Sequence, residues 1–216
     1  MSVTVVSLAL MTAVTDIAYH RVMGRWEPNA RERLFLAALE LYAERGFEQT
    51  TVAEIARRAG LTERTFFRHF PDKREVLFTG SDGMVGQLAE VIARAPQESL
   101  PLGAVAEALG AVARPMQERR EGVLARQKVV AAHAELRERE LVKRSKLVAG
   151  TVEALEARGV GPRAARLSAE VALGVFHVAF ERWVGADGET RELPDMIAET
   201  FAELREVAVG GGVPAG

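Results

Sequence analysis

Cysteine is absent from this 216-residue chain. That excludes structural disulfides, thiolate zinc sites and cysteine nucleophiles, and it fits a reducing, cytoplasmic setting. The four histidines, His20, His69, His133 and His177, have no metal-ligand spacing. Neither a nucleophile elbow nor a phosphate-cradling loop occurs, and the triple glycine at 210–212 lies in a tail rather than between a strand and a helix. The expectation is therefore a protein with no catalytic residues, no metal and no cofactor, and not an enzyme. Charge of one sign is also scarce. The formal net charge of -2 gives no global attraction to nucleic acid, so any DNA-binding reading rests on where the basic residues lie. Long hydrophobic runs are missing: the apolar stretch from Val3 to Val14 is too short to cross a membrane and has no preceding lysine or arginine of the kind a secretory signal carries. No strand-like alternation of useful length appears either, which leaves an all-α fold.

What is present is enough apolar material, 48% of residues, for one domain or for a small domain joined to a larger one. Residues 1–22 read either as an extension from an upstream start codon, with Met11 and Met23 as alternative starts, or as a further packed element. Over residues 30–45, Leu34, Ala37, Ala38, Leu41 and Tyr42 recur at helical spacing and Gly46 follows as a stop. Thr51 with Glu54 has the spacing of a capping box, and Val52, Ile55, Ala56 and Ala59 form one stripe that Gly60 ends. Thr62 can cap a short third helix running to about Phe70. Asp72 and Glu75 repeat the capping-box spacing for a fourth. Helical periodicity then continues with breaks at Pro96 to Pro101, Gly159 to Pro162 and Gly185 to Gly188. These boundaries divide the chain into 23–78, a three-helix unit of the helix-turn-helix kind, 79–209, a larger helical domain that the family resemblance of residues 30–78 implies is for ligand binding and dimerisation, and 210–216, a flexible tail.

A helix-turn-helix works by holding its second helix rigidly so that one face enters the major groove. Phe66 and Phe70 lie four residues apart and point inward, while Arg64 and Arg68 fall about 200° away on the opposite face. Between Thr50 and Arg74 the basic residues Arg57, Arg58, Arg64, Arg68, Lys73 and Arg74 outnumber Glu54, Glu63 and Asp72 by three, which suits a polyanion. The alternative is a helical ligand- or partner-binding protein without DNA binding, in which the arginines are a solvated face and the phenylalanines plain core.

Gly46-Phe47, Thr51-Val52-Ala53-Glu54-Ile55-Ala56, Ala59-Gly60-Leu61-Thr62 and Thr65-Phe66-Phe67-Arg68-His69-Phe70 followed by Lys73 resemble the signature of the TetR family over residues 30–78. The resemblance implies a homodimeric, cytoplasmic repressor released from an inverted-repeat operator by a small-molecule effector. It also implies that Thr51, Thr65, Phe67, His69 and Lys73 sit at the DNA backbone, where contacts position rather than read. Thr62 completes the candidate set as the cap of the third helix. The commonest family residue at position 67 is tyrosine, whose hydroxyl donates to a phosphate; Phe67 can only pack against sugar or bases. Arg64 and Arg68 are the candidates for base reading, because an arginine fork matches the two acceptors of guanine. On this reading Lys73→Ala weakens binding to all DNA alike, whereas Arg68→Ala loses the preferred site selectively.

The larger domain is less legible. Ala164 to Val184 is apolar nearly all round, and with the later helix carrying Ile197, Phe201, Leu204 and Ala208 it either pairs with a second subunit in a four-helix interface or is buried within one monomer. Arg137-Glu138-Arg139-Glu140-Leu141, Arg158-Gly159, Phe176 and Phe180-Glu181-Arg182-Trp183 loosely resemble actinobacterial TetR-type regulators with an acyl-thioester-like ligand domain. Phe176, Phe180 and Trp183 either line an apolar cavity or form core, and Arg126, His133 and His177 either orient a polar ligand group or are hydrogen-bonded core. The charge run from Glu135 to Arg144 reads as a solvated helix face.

Overall fold

The computed structural model describes residues 30–185 and 191–209, and it omits the side chains of residues 81, 82 and 209. The expectations for residues 1–22 and for the tail 210–216 lie outside the described residues. Among the described residues every regular element is helical. These are α1 (Ala30–Arg45), α2 (Val52–Arg58), α3 (Glu63–His69), a single 3-10 turn (Glu75–Phe78), α4 (Ser81–Arg94), α5 (Pro101–Glu118), α6 (Arg120–Ala132), α7 (Ala134–Ala157), α8 (Pro162–Gly185) and α9 (Leu193–Val209).

The first three helices start and stop where their sequence signals lie. Thr51 accepts a hydrogen bond from Glu54 N at 3.3 Å and Glu54 Oε2 accepts one from Thr51 N at 2.9 Å, so both halves of the capping box form. Gly60, at φ +65°, ends α2 in a six-to-one closure, with Leu61 N donating to Ala56 O at 2.8 Å and Gly60 N to Arg57 O at 3.0 Å. Gly159 closes α7 in the same way.

The fourth helix departs from its expected start. Asp72 does cap, accepting from Arg74 N at 2.8 Å and Glu75 N at 3.1 Å. Glu75, however, turns away from Asp72 to bind Arg139 and Lys143 of α7, and the chain makes a 3-10 turn before α4 begins at Ser81. The reciprocal half of that capping box is missing because Arg139 and Lys143 take the same carboxylate.

Two cores result. Leu34, Ala38, Leu41, Ile55, Phe66, Phe70, Val76, Leu77 and neighbours form the first, and Val130 of α6 and Leu136 of α7 complete it. The N-terminal domain thus borrows apolar area from the larger one. The second core gathers Leu88, Ile92, Val105, Leu109, Val112, Leu173, Trp183, Met196 and Ile197 from α4, α5, α8 and α9. Helix α4 runs closely along α7: a Cβ added at Gly150 would meet Val85 Cγ1 at 2.5 Å, so glycine is what permits that approach. Helix α8 is not buried on every side within the chain. Ala165, Ala169, Ala172, Leu173 and Ala179 face the core, but Leu167 is 64% and Val178 47% exposed.

Candidate nucleic-acid interface

Helix α3 is held from both ends and from behind. Thr62 caps it, accepting from Thr65 N at 3.1 Å, and its hydroxyl lies 3.0 Å from that of Thr65. Behind it, Phe66 and Phe70 are buried with centroids 5.6 Å apart, and the Arg31 guanidinium lies 5.1 Å from the Phe70 ring centre. Arg33 of α1 donates to Ala59 O and fixes the turn between α2 and α3. The outward face carries Arg64, Phe67 and Arg68, all exposed, with Thr65 half-buried at its flank.

Of the six basic residues between 50 and 74, three are committed internally. Arg58 makes a two-pronged pair with Glu44 at 2.9 Å and reaches Glu40 at 3.0 Å, which raises its pKa further above the ordinary arginine value. Arg74 pairs with Asp72 at 2.9 Å and with Glu135 at 3.4 Å. Lys73 is placed differently from a phosphate contact: its ammonium donates to Phe47 O at 2.8 Å, Thr50 O at 3.1 Å and Glu48 O at 3.2 Å, and lies 4.5 Å from the Phe47 ring centre. Lys73 therefore clamps the α1–α2 connection, and Tyr42 Oη donates to Lys73 O at 2.8 Å from below. Burial first, and the Asp72 charge second, push the Tyr42 phenol far up, so it stays a neutral donor.

The cations of this stretch that have no ion pair among the described residues are Arg57, Arg64 and Arg68, all exposed. The candidate reading face is thus smaller but unencumbered. His69 is half-buried and its Nε2 is buried without a hydrogen-bond partner, so that nitrogen does not face outward. Thr51 is exposed at the start of α2.

The structure splits the ligand candidates of the larger domain: Phe176, Phe180 and Trp183 lie together on α8, while Arg126 and His133 lie elsewhere. Arg126 and His133 belong to the seam with the N-terminal domain. Arg126 Nε donates to Leu77 O at 2.8 Å, its Nη1 pairs with Glu140 at 3.0 Å, and its guanidinium sits 5.0 Å from the Phe78 ring centre. The His133 ring lies 5.1 Å from that of Phe47, and its Nδ1 is 3.8 Å from Glu48. His177 is exposed beside Glu181. Trp183 is core, 1% exposed, with Nε1 donating to Gln117 Oε1 at 3.0 Å. Phe176 and Phe180 stack at 6.0 Å and pack against the same core. What the structure offers instead is an open groove of about 540 Å³ between α7 and α8, lined by Leu141, Arg144, Ser145, Val148, Val152 and Arg166 among others.

The charge run 135–144 is likewise more than a solvated face. Lys143 is 8% exposed and 3.5 Å from Glu75, and Arg139 binds the same carboxylate. Burial pushes the Glu75 carboxyl up, but the Arg139 hydrogen bond and the Lys143 and Arg139 charges outweigh it and hold it below the ordinary glutamate value. Arg158 was not recognisable as a structural residue from sequence. It bonds Ala95 O at 2.9 Å, Pro96 O at 2.7 Å and Ile92 O, satisfying the open carbonyls at the end of α4.

A capped, short helix with an outward basic and aromatic face, braced across a glycine turn by a second short helix, defines a helix-turn-helix domain. Residues 34–78 match the family profile of bacterial regulatory proteins of the tetR family. The chain is 38% identical over 82 residues to the HTH-type transcriptional regulator TcmR of Streptomyces glaucescens, covering 38% of this chain and 36% of that protein. It is 38% identical over 74 residues to the HTH-type transcriptional repressor BepR of Brucella suis, covering 34% and 31%. These matches span about a third of the curated relatives. Over most of its length the fold resembles the solved Thermus thermophilus FadR, a TetR-family repressor in complex with lauroyl-CoA, at a TM-score of 0.53, 24% identity, and coverage of 86% of this chain and 98% of that one. No helix among the described residues is long and apolar enough to cross a membrane.

Proposed function

We propose that the protein is a cytoplasmic, homodimeric transcriptional repressor that binds an inverted-repeat operator through α3 and is released by a small-molecule effector. The observation that carries this reading is the outward face of α3. Arg64 and Arg68 are exposed, without an ion pair, and presented from a helix whose cap and two buried phenylalanines fix its orientation. A purely structural module would leave that face no task. In the complex Arg68, at the centre of the face, reads guanine; Thr51, Thr65 and Arg57 contact phosphate.

Dimerisation is proposed through α8 and α9, because the bare Leu167 and Val178 of α8 lie on a helix already flanked by α9, as half of a four-helix interface would. The effector site proposed is the groove between α7 and α8. Its lining combines Leu141, Val148 and Val152 with Arg144 and Arg166 and with Glu153 and Glu170, which suits an amphipathic molecule with a polar end, and acyl thioesters are the first class to try.

The test is selection of bound sequences from a random duplex pool at matched salt, with wild-type protein and an Arg64→Ala/Arg68→Ala control. An enriched inverted repeat that the control loses supports a dimeric reader. No enrichment at low salt from folded protein would refute it in favour of a ligand or partner binder that does not touch DNA.

A further inference from the structure

Phe67 is the anomaly of the recognition face. It is 55% exposed, next to two charged side chains, on a helix whose other phenylalanines are fully buried. At about 100° per residue, the outward arc of α3 runs Thr65, Arg68, Arg64, Phe67, so the ring sits on the face beside the arginines and not around the back with Phe66 and Phe70. It is held there: the Phe66 ring meets it edge-on, at 5.5 Å and 80°, from a buried position. No guanidinium or ammonium of the described residues lies over it, although such cations cover Phe47, Phe70, Phe78 and Trp183. A large apolar surface is thereby presented to solvent, with nothing among the described residues to cover it.

We propose that Phe67 reads the 5-methyl group of a thymine in the operator, alongside the guanine read by Arg68. This rests on the DNA-binding reading above and deepens it. A phenyl ring has no donor for phosphate or for base-edge acceptors, so its attraction to a duplex is apolar. Within the major groove, the thymine methyl is the apolar feature that distinguishes one base pair from another. An arginine beside it fixes the register in which that methyl must fall.

The experiment uses the full chain and synthetic duplexes carrying the enriched inverted repeat, with thymine replaced by deoxyuridine at one position of a half-site at a time. Uracil keeps every hydrogen-bonding group and removes only the methyl. Burying one such carbon is expected to be worth about fourfold in affinity, so a single position should show a loss of that order with wild-type protein. Phe67→Ala, which removes an exposed ring and is checked for an unchanged circular-dichroism melt, should bind the thymine and uracil duplexes equally.

Indifference of the wild-type protein to uracil at every position would overturn the assignment. So would a uracil penalty that persists in Phe67→Ala, or a Phe67→Ala loss that is the same on both duplexes, which would place the ring on a sugar. Failure of any duplex to bind would instead overturn the DNA-binding reading itself, and the assignment with it.

Discussion

Replacing Lys73 with methionine separates two roles that a lysine at this position can have. In the structure its three donors are used by Phe47 O, Glu48 O and Thr50 O, and the charge lies against the Phe47 ring. Methionine keeps most of the stem and removes the donors and the charge. A hydrogen bond from a charged group contributes about 1.5 to 3 kcal/mol. The three here are not additive, because they share one ammonium, and the Glu48 carbonyl lies at an exposed residue where water can replace the donor. A total of about 3 kcal/mol is the reasonable expectation. For a chain of this size that corresponds to a fall in Tm of roughly 6 to 12 °C. The assay is a thermal melt of the free protein, paired with operator affinity across a salt series well below the melting range. With the clamp intact as drawn, the melt shifts and the salt slope does not. A phosphate-contacting lysine gives the opposite pattern: an unchanged melt, and a slope reduced by about 0.9 per subunit. That second pattern would refute the clamp.

Arg68→Ala should lose about 1 to 3 kcal/mol of discrimination at one base position while leaving non-specific binding nearly intact; an equal loss on every sequence would move Arg68 to the phosphates. Gly60→Ala should destabilise by at least about 1 kcal/mol, since φ is +65° and Arg33 Nη2 stands 2.7 Å from the new methyl, and an unchanged denaturation midpoint would show that the turn can yield. Gln117→Leu strips an acceptor shared by Trp183 Nε1 and Leu193 N, both at 3.0 Å, and should cost about 2 kcal/mol in chemical denaturation followed by tryptophan fluorescence; a neutral result would mean water replaces the amide. The Glu75 carboxyl is depressed in the folded state, so its contribution is complete above the ordinary glutamate value of 4.5 and is lost as pH falls through the lower folded value. Glu75→Gln should therefore lower stability at neutral pH and narrow the gap to wild type in acid, and a gap independent of pH would exclude the charge as its cause.

The signals legible in the sequence are the local ones. Thr51 with Glu54, Thr62, Gly46, Gly60 and Gly159 each act within a turn of where they stand, and so α1 to α3 and the end of α7 were legible. The junctions between α5 and α6 at Arg119, and between α6 and α7 at His133, carry neither glycine nor a capping side chain, and no periodicity marked them. Charge partners were the larger loss. Whether Arg58, Lys73 and Arg74 face DNA or their own protein depends on Glu44, Phe47 and Glu135, which lie 14, 26 and 61 positions away. The same holds for Arg126, whose partners Leu77 and Glu140 come from opposite sides of the domain seam. Composition counts such residues as free cations; only the fold says they are not.

That seam also bears on how an effector in the proposed groove reaches α3. On α7, Arg139, Lys143 and Gly150 share one side, which grips Glu75 and lies against Val85 of α4. Leu141, Arg144, Ser145, Val148 and Val152 share the other, which lines the groove. One helix therefore carries both surfaces, back to back. Apolar contacts such as those of Val130 and Leu136 tolerate sliding, because they are not directional. Ion pairs held at hydrogen-bonding distance do not, and Arg139 and Lys143 hold one carboxylate, that of Glu75, between them. A displacement of α7 would therefore strain the Glu75 pairs before it strained the apolar contacts of the seam. Effector and operator would then oppose one another through the same few side chains. The coupling between them should shrink in Glu75→Gln even where each ligand still binds alone.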